Sequence, residues 1–295
     1  HLSGSNDFTG GRVQVPTRIA GDSGTDAAST AFVSTAIAGA RTASLGGAVL
    51  RSYLAGLGLA NNATTPNTKL DVAAGVCADS TNAQMLSVTA STIDCGTVGA
   101  NGLDAGTLAN STWYHVFAIG RNDGTTALLA STSLGSPTLP ATYTLKRRIG
   151  SFKTDGTAHI VAFIQSGDEF RWAASVADVN ATNPGTSAVT PALSVPTGVR
   201  VTAVGNVVVQ VTSTSTTILL SDPAANNEAP IATTAGLATP GFSLVAFTGG
   251  VNVGAPFAVR TDTSAHIRYR LSASAADIKV GIFTHGWIDR RGRDD

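Results

Sequence analysis

Thr112-Trp113-Tyr114-His115-Val116-Phe117-Ala118-Ile119, followed shortly by Asn122-Asp123-Gly124 and then Ala127-Leu128-Leu129-Ala130, is the stretch whose reading decides the fold. In an extended chain, Trp113, His115, Phe117 and Ile119 share one face, and Tyr114, Val116 and Ala118 share the other. Both faces are mostly apolar, so both are expected to be covered. Asp-Gly tolerates the positive φ of a tight turn, which predicts a hairpin returning through Ala127–Ala130. After the rigid Pro137-Thr138-Leu139-Pro140 entry, a third strand is expected from Tyr143 to Phe152.

Working outward, the same alternation of short apolar runs and turn residues recurs along the chain. Tyr53–Leu59, Lys69–Cys77, Gln84–Thr89 and Ser91–Cys95 read as strands before the central stretch, and His159–Gln165 and Glu169–Trp172 after it. Regular strands of this kind indicate an antiparallel sandwich over residues 49–172. Ala173 to Pro191 is polar and reads as a boundary. Beyond it, Val199–Val204 and Val207–Val211 flank Gly205-Asn206, which reads as another hairpin, and Thr216–Leu220, Phe242–Phe247, Ala265–Leu271 and Ile278–Trp287 supply further strands. Residues 173–295 are thus expected to form a second, jelly-roll-like β domain, unless the strands after Trp172 complete the first sheet system. Ile267, Tyr269 and Leu271 alternate with His266, Arg268 and Arg270, giving a strand with one wet or interfacial face.

Composition supports a β protein and excludes several functions. Charged residues make up 13% of the 295 and the formal net charge is +0, so the chain lacks the basic surface that neutralises nucleic-acid phosphates. Its 32 glycines, abundant Val and Thr and scarce Lys and Glu fit many short strands joined by turns. No apolar run approaches the roughly 20 residues that span a bilayer, so no membrane insertion is expected. Cys77 and Cys95 are too few for a disulfide scaffold and are expected as buried thiols, although their strands read as neighbours.

Residues 1–21 read as an extended connector, with Val13-Gln14-Val15 broken by Pro16. Residues 22–48 hold the helical signal of the chain. Ser23 or Thr25 can cap its start, Asp26 suits the first turn, and Phe32, Val33, Ala36, Ile37 and Ala40 fall on one stripe before a loose Ala/Gly-rich hinge. Isolated helices shorter than about 12–15 residues are marginal in water, so that stripe must pack on something.

Two of these stretches carry a resemblance. Trp113-Tyr114-His115, a turn, and Lys146-Arg147-Arg148-Ile149-Gly150 occur in the order seen in a β segment of tailed-phage and prophage fibre proteins. Asp22-Ser23-Gly24-Thr25 with Ala28-Ser29-Thr30-Ala31-Phe32-Val33 is similar to a short neck element of phage tail fibres, from which Gly24 and Asp26 depart. The likeness covers residues 22–37 and 53–172 and the final part only loosely. It implies a parallel homotrimer with Phe32, Val33 and Ile37 at the neck, located in the virion. It also implies attachment to other virion proteins through an upstream or N-terminal segment, and contact with host-surface polysaccharide. With no initiator Met at His1, an upstream piece carrying the anchor is expected. A capsid-mounted fibre, a decoration protein, or a collar or baseplate connector without receptor binding are the neighbouring possibilities.

Chemistry finds little foothold in the sequence. Gly-x-Ser-x-Gly, His-Glu-x-x-His, paired cysteine motifs and a phosphate loop are absent, so no catalytic residue, cofactor or metal is expected. Apart from the terminal Asp294-Asp295, Asp168-Glu169 is the one adjacent carboxylate pair. A glycosidase needs two carboxyls about 5–9 Å apart across a sugar, and strand neighbours point to opposite faces, so this pair reads as a solvated turn. The competing enzyme is a depolymerase whose carboxylates meet only across chains. In Lys146-Arg147-Arg148, Arg147 falls on the inward face and is expected to pair with a carboxylate such as Asp123, Asp155 or Asp168. Trp113 and Trp172 are placed in the core, while Trp287 is left open. The alternating charges of Trp287–Asp295 suit salt bridges between symmetry-related chains as well as a disordered end.

Overall fold

The structure, a computed structural model, describes residues 33, 49–230, 241–249 and 252–293. The neck stripe lies outside the described residues except for Val33, which is in helical conformation and 43% exposed. Apart from Val33, the described residues are strand, turn and loop, arranged in several sheets that are almost wholly antiparallel.

The chain runs in order through β1 (Leu54–Gly56), β2 (Leu59–Asn61), β3 (Lys69–Val72), β4 (Gly75–Ala78), β5 (Met85–Val88), β6 (Ser91–Asp94) and β7 (Gly102–Leu103). Next come β8 (Trp113–Gly120), β9 (Thr126–Ser131), β10 (Leu145–Lys153), β11 (Phe163–Ser166) and β12 (Glu169–Thr182). The remainder are β13 (Thr202–Gln210), β14 (Thr216–Ser221), β15 (Phe242–Ala246), β16 (Asn252–Arg260), β17 (Arg268–Leu271) and β18 (Lys279–Ile288). Two small sheets, β1-β4-β5 and β2-β3-β6, accompany the sheet β10-β8-β9-β7; the others are β11-β12-β18-β13-β16 and β15-β14-β17.

The deciding stretch behaves as its alternation dictates. β8 and β9 form a hairpin, closed by Gly124 at φ 90° and by the Arg121 amide donating to the Thr125 carbonyl. Tyr114, Val116 and Ala118 enter the main core, while Phe117 and Ile119 join Ala127, Leu129 and Tyr143 in a separate apolar cluster on the other side. Arg121 closes that cluster, its guanidinium 4.5 Å from the centre of the Tyr143 ring. β10 pairs with β8, with a bulge between Arg148 and Gly150 that follows the basic run.

Three expectations need correction. The boundary at 172/173 falls inside β12, which pairs with both β11 and β18, so the strands beyond Trp172 share a sheet with those before it. From Arg51 onward the chain is one compact unit. Gly205-Asn206 is no hairpin: β13 runs straight through it, paired with β16 on one side and β18 on the other. The glycine answers a close approach instead, since a Cβ at position 205 would lie 2.1 Å from the Phe283 carbonyl oxygen, where His285 is the extra residue of a β18 bulge. Gly205→Ala is therefore expected to destabilise by about 1–3 kcal/mol through overpacking, read as a lower urea midpoint. The third correction concerns β17. On the face expected to be wet or interfacial, Arg268 is only 8% exposed, because its guanidinium donates to the carbonyls of Asp222, Pro223, Ala225 and Asn226 and to Ser221 Oγ, while His266 and Arg270 stay partly exposed.

Cys77 and Cys95 are free and buried, in β4 and just after β6, and burial pushes both thiols up to about 12. Among the described residues no helix is long and apolar enough to cross a membrane.

Candidate functional site

The C-terminal tail organises a concavity. Just past β18, Asp289 turns inward and meets Arg148 of β10 in a two-pronged pair, Nη1 to Oδ2 and Nη2 to Oδ1, each 2.7 Å. The side chains are 11% and 3% exposed, so this is a buried ion pair. Asp289 Oδ1 also accepts the Arg291 amide at 2.8 Å. Burial pushes the Asp289 carboxyl up, but the Arg148 charge and these hydrogen bonds outweigh it and hold the group below the usual carboxylate range.

This pair floors a cleft of about 520 Å³. Its rim is set by strand register. Thr202 of β13 lies opposite Arg260 of β16 on one side and Ile288 of β18 on the other. Arg260 therefore ends β16, Arg200 precedes β13 and Arg290 follows β18, all at one end of three adjacent strands and all exposed. Arg200 Nη2 reaches both Asp222 oxygens, at 2.8 and 3.0 Å. Among the described residues, the Arg260 side chain makes no hydrogen bond or ion pair. Five arginines and one aspartate line the cleft; Asp289 answers Arg148, Asp222 answers Arg200 and Asp168 answers Arg291.

The floor extends inward through Ser151. Its Oγ lies 3.3 Å from Arg148 Nη1 and 2.9 Å from His115 Nδ1. A serine beside a histidine is the pairing a hydrolase uses, but Ser151 is 0% and His115 3% exposed, so the pair is shut away from substrate. Burial, aided by Arg148 and opposed by Asp289, lowers the His115 pKa to about 4. The sign of the consequence follows from linkage: below about pH 6.5 the unfolded chain takes up a proton that the folded chain refuses until about pH 4. Stability is thus expected to decline on the order of 1–3 kcal/mol between those values, and His115→Gln to flatten that part of the pH profile.

A smaller cavity of about 440 Å³ lies on the other side of the tail, lined by Leu54, Gly56, Gln165, Asp168, Arg291 and Arg293 among others. Here Asp168 accepts from both Arg291 and Arg293, and Arg291 Nη1 also donates to the Gly56 carbonyl. Of the tail charges read as suiting salt bridges between chains or a disordered end, Asp289, Arg291 and Arg293 make ion pairs within the chain.

The residues singled out in the sequence are distributed rather than gathered. Lys146 donates to the Gly135 carbonyl, Arg147 is buried against the Arg291 and Gly292 carbonyls, and Arg148 reaches the cleft floor. The carboxylates set against Arg147 have other partners: Asp123 takes the Thr125 amide, Asp155 takes Thr157 and His159, and Asp168 takes the tail. Glu169 pairs with Arg171, so Asp168-Glu169 is not an acid pair facing a substrate. Phe32 and Ile37 lie outside the described residues. Trp287, left open in the sequence, is fully buried, and it packs against Trp113, Trp172 and Phe170 instead of offering a sugar platform. Arg200, Arg260 and Arg290 were missed. The sequence places Arg200 and Arg290 beside expected strands, but Asn252–Arg260 was not read as a strand, and only the β16-β13-β18 pairing brings the three arginines together. Among the described residues no group of three or more His, Cys, Asp or Glu could hold a metal ion.

In comparison with known proteins, no family model matches the chain and no curated protein matches it.

Proposed function

We propose that the protein is a non-enzymatic structural and receptor-binding component of a phage or prophage-derived particle, a segment of a trimeric fibre whose β unit contacts host-surface glycan. The resemblance of residues 22–37 and 53–172 to phage fibre proteins supports the particle. The cleft supports the binding role, and it is the observation that carries the reading. Rigid strands hold arginine donors around an open concavity, while the adjacent Ser151–His115 pair is sealed beneath it. Those groups suit holding a polar ligand and not cleaving one. In a trimer, Phe32, Val33 and Ile37 pack between chains, the N-terminal segment joins other virion proteins, and weak contacts are multiplied over identical sites.

Light scattering coupled to size exclusion tests the assembly. The reading predicts the mass of three 29.7 kDa chains, and Phe32→Asp with Ile37→Asp is expected to reduce it to one. A monomeric wild type would remove the trimer from the account.

A further inference from the structure

We propose that the cleft at the shared end of β16, β13 and β18 is a carboxylate-recognition site for an acidic saccharide bearing hexuronate units. This deepens the receptor-binding reading and rests on it. The argument begins with charge. Both oxygens of Asp289 are occupied by Arg148, and one also by the Arg291 amide, so the floor carboxylate is saturated and does not neutralise the rim. Asp222 answers Arg200. Arg260 is exposed and has no partner among the described residues, which leaves one unanswered cation at the mouth of the cleft.

A guanidinium is a planar fork that matches a carboxylate through two parallel hydrogen bonds, the geometry the Arg148–Asp289 pair already displays a short distance below. A neutral sugar gains nothing from that unanswered charge. Nucleic acid demands a basic surface much larger than one cleft, and the chain as a whole has net charge +0. The remaining walls suit a sugar ring. Leu134 and Ile288 give an apolar patch for its C–H face, and Thr202 gives a hydroxyl that can both donate and accept. A volume of about 520 Å³ lies within the range of small-ligand sites and takes a short stretch of saccharide, not a folded partner.

The test is calorimetric titration of the full chain with oligogalacturonate, oligoguluronate and hyaluronan fragments, each beside its carboxyl-reduced counterpart. Wild type, Arg260→Gln and Arg171→Gln are compared; Arg171 pairs with Glu169 and lines neither cavity. At least one acidic chain is expected to bind. Carboxyl reduction and Arg260→Gln should each weaken it by about tenfold or more, Arg171→Gln should leave it unchanged, and added salt should loosen it. Equal binding of acidic and reduced chains, binding indifferent to Arg260→Gln, or no binding of any acidic chain would each overturn the proposal. A protein that fails here yet adsorbs to cells or to neutral surface polysaccharide would leave the receptor-binding reading standing, which separates the two failures.

Discussion

Asp289→Ala is expected to lower the unfolding free energy by about 3–5 kcal/mol, because it leaves Arg148 charged, buried and without its partner. Asp289 has more than one duty. It receives both prongs of Arg148 and the Arg291 amide, and its own amide donates to the Asp168 carbonyl, so it ties the tail to β10 and to the turn before β12. At about 2–4 °C per kcal/mol for a unit of this size, the melting midpoint should fall by about 6–20 °C. The paired change Arg148→Met with Asp289→Leu should lose less than Asp289→Ala alone, since it removes both charges together. If Asp289→Ala melts within a degree or two of wild type, the tail is not the clasp described above.

Trp287→Ala is expected to cost a similar amount, about 3–5 kcal/mol, by opening a cavity at the meeting point of four aromatic rings. Trp287 is 0% exposed, stacked on Phe170 at 5.1 Å and 4° between planes, edge-on to Trp113 at 5.5 Å and tilted to Trp172 at 5.0 Å. Packing of this kind adds to the burial of the ring itself. Among the described residues the indole Nε1 of Trp287 has no hydrogen-bond partner, whereas that of Trp172 donates to the Ser194 carbonyl at 2.8 Å. Trp287→Phe should accordingly be much milder, because it removes an unsatisfied buried donor along with some volume. Chemical denaturation of the two variants side by side checks both statements. A Phe variant as damaged as the Ala variant would mean that the ring's size, not the cluster, is all that matters.

The mostly β class, borne out in the described β region, was legible because side-chain alternation and turn chemistry are local. Trp113–Ile119 shows both faces in its own residues, and Asp123-Gly124 announces its turn through the backbone freedom of one glycine. Gly205 shows the limit of that reasoning. A glycine within an apolar run signals either a turn or the close approach of another backbone, and only the neighbouring strand decides which. The misread hairpin at Gly205 split β13, and Asn252–Arg260 was not read as a strand, so the convergence of Arg200, Arg260 and Arg290 stayed hidden. Trp287 was obscured for a related reason. It sits at the edge of a charged tail in the sequence, yet its strand is central in a five-stranded sheet, and centrality is a property of pairing order. Arg147 and Arg268 follow the same rule. Each lies where a strand pattern calls for an inward or an outward residue, and each is buried by carbonyls supplied from far along the chain.

The claim that this is a binding protein and not a degrading one is tested most directly by presenting it with immobilised surface polysaccharides from candidate bacterial hosts, with bound protein and released reducing ends measured in the same wells. The account predicts retention on at least one polysaccharide, loss of that retention on Arg260→Gln, and no reducing ends above the protein-free control. Reducing ends that accumulate with time and enzyme concentration would contradict it and make the cleft, or a site formed between chains, the seat of a depolymerase.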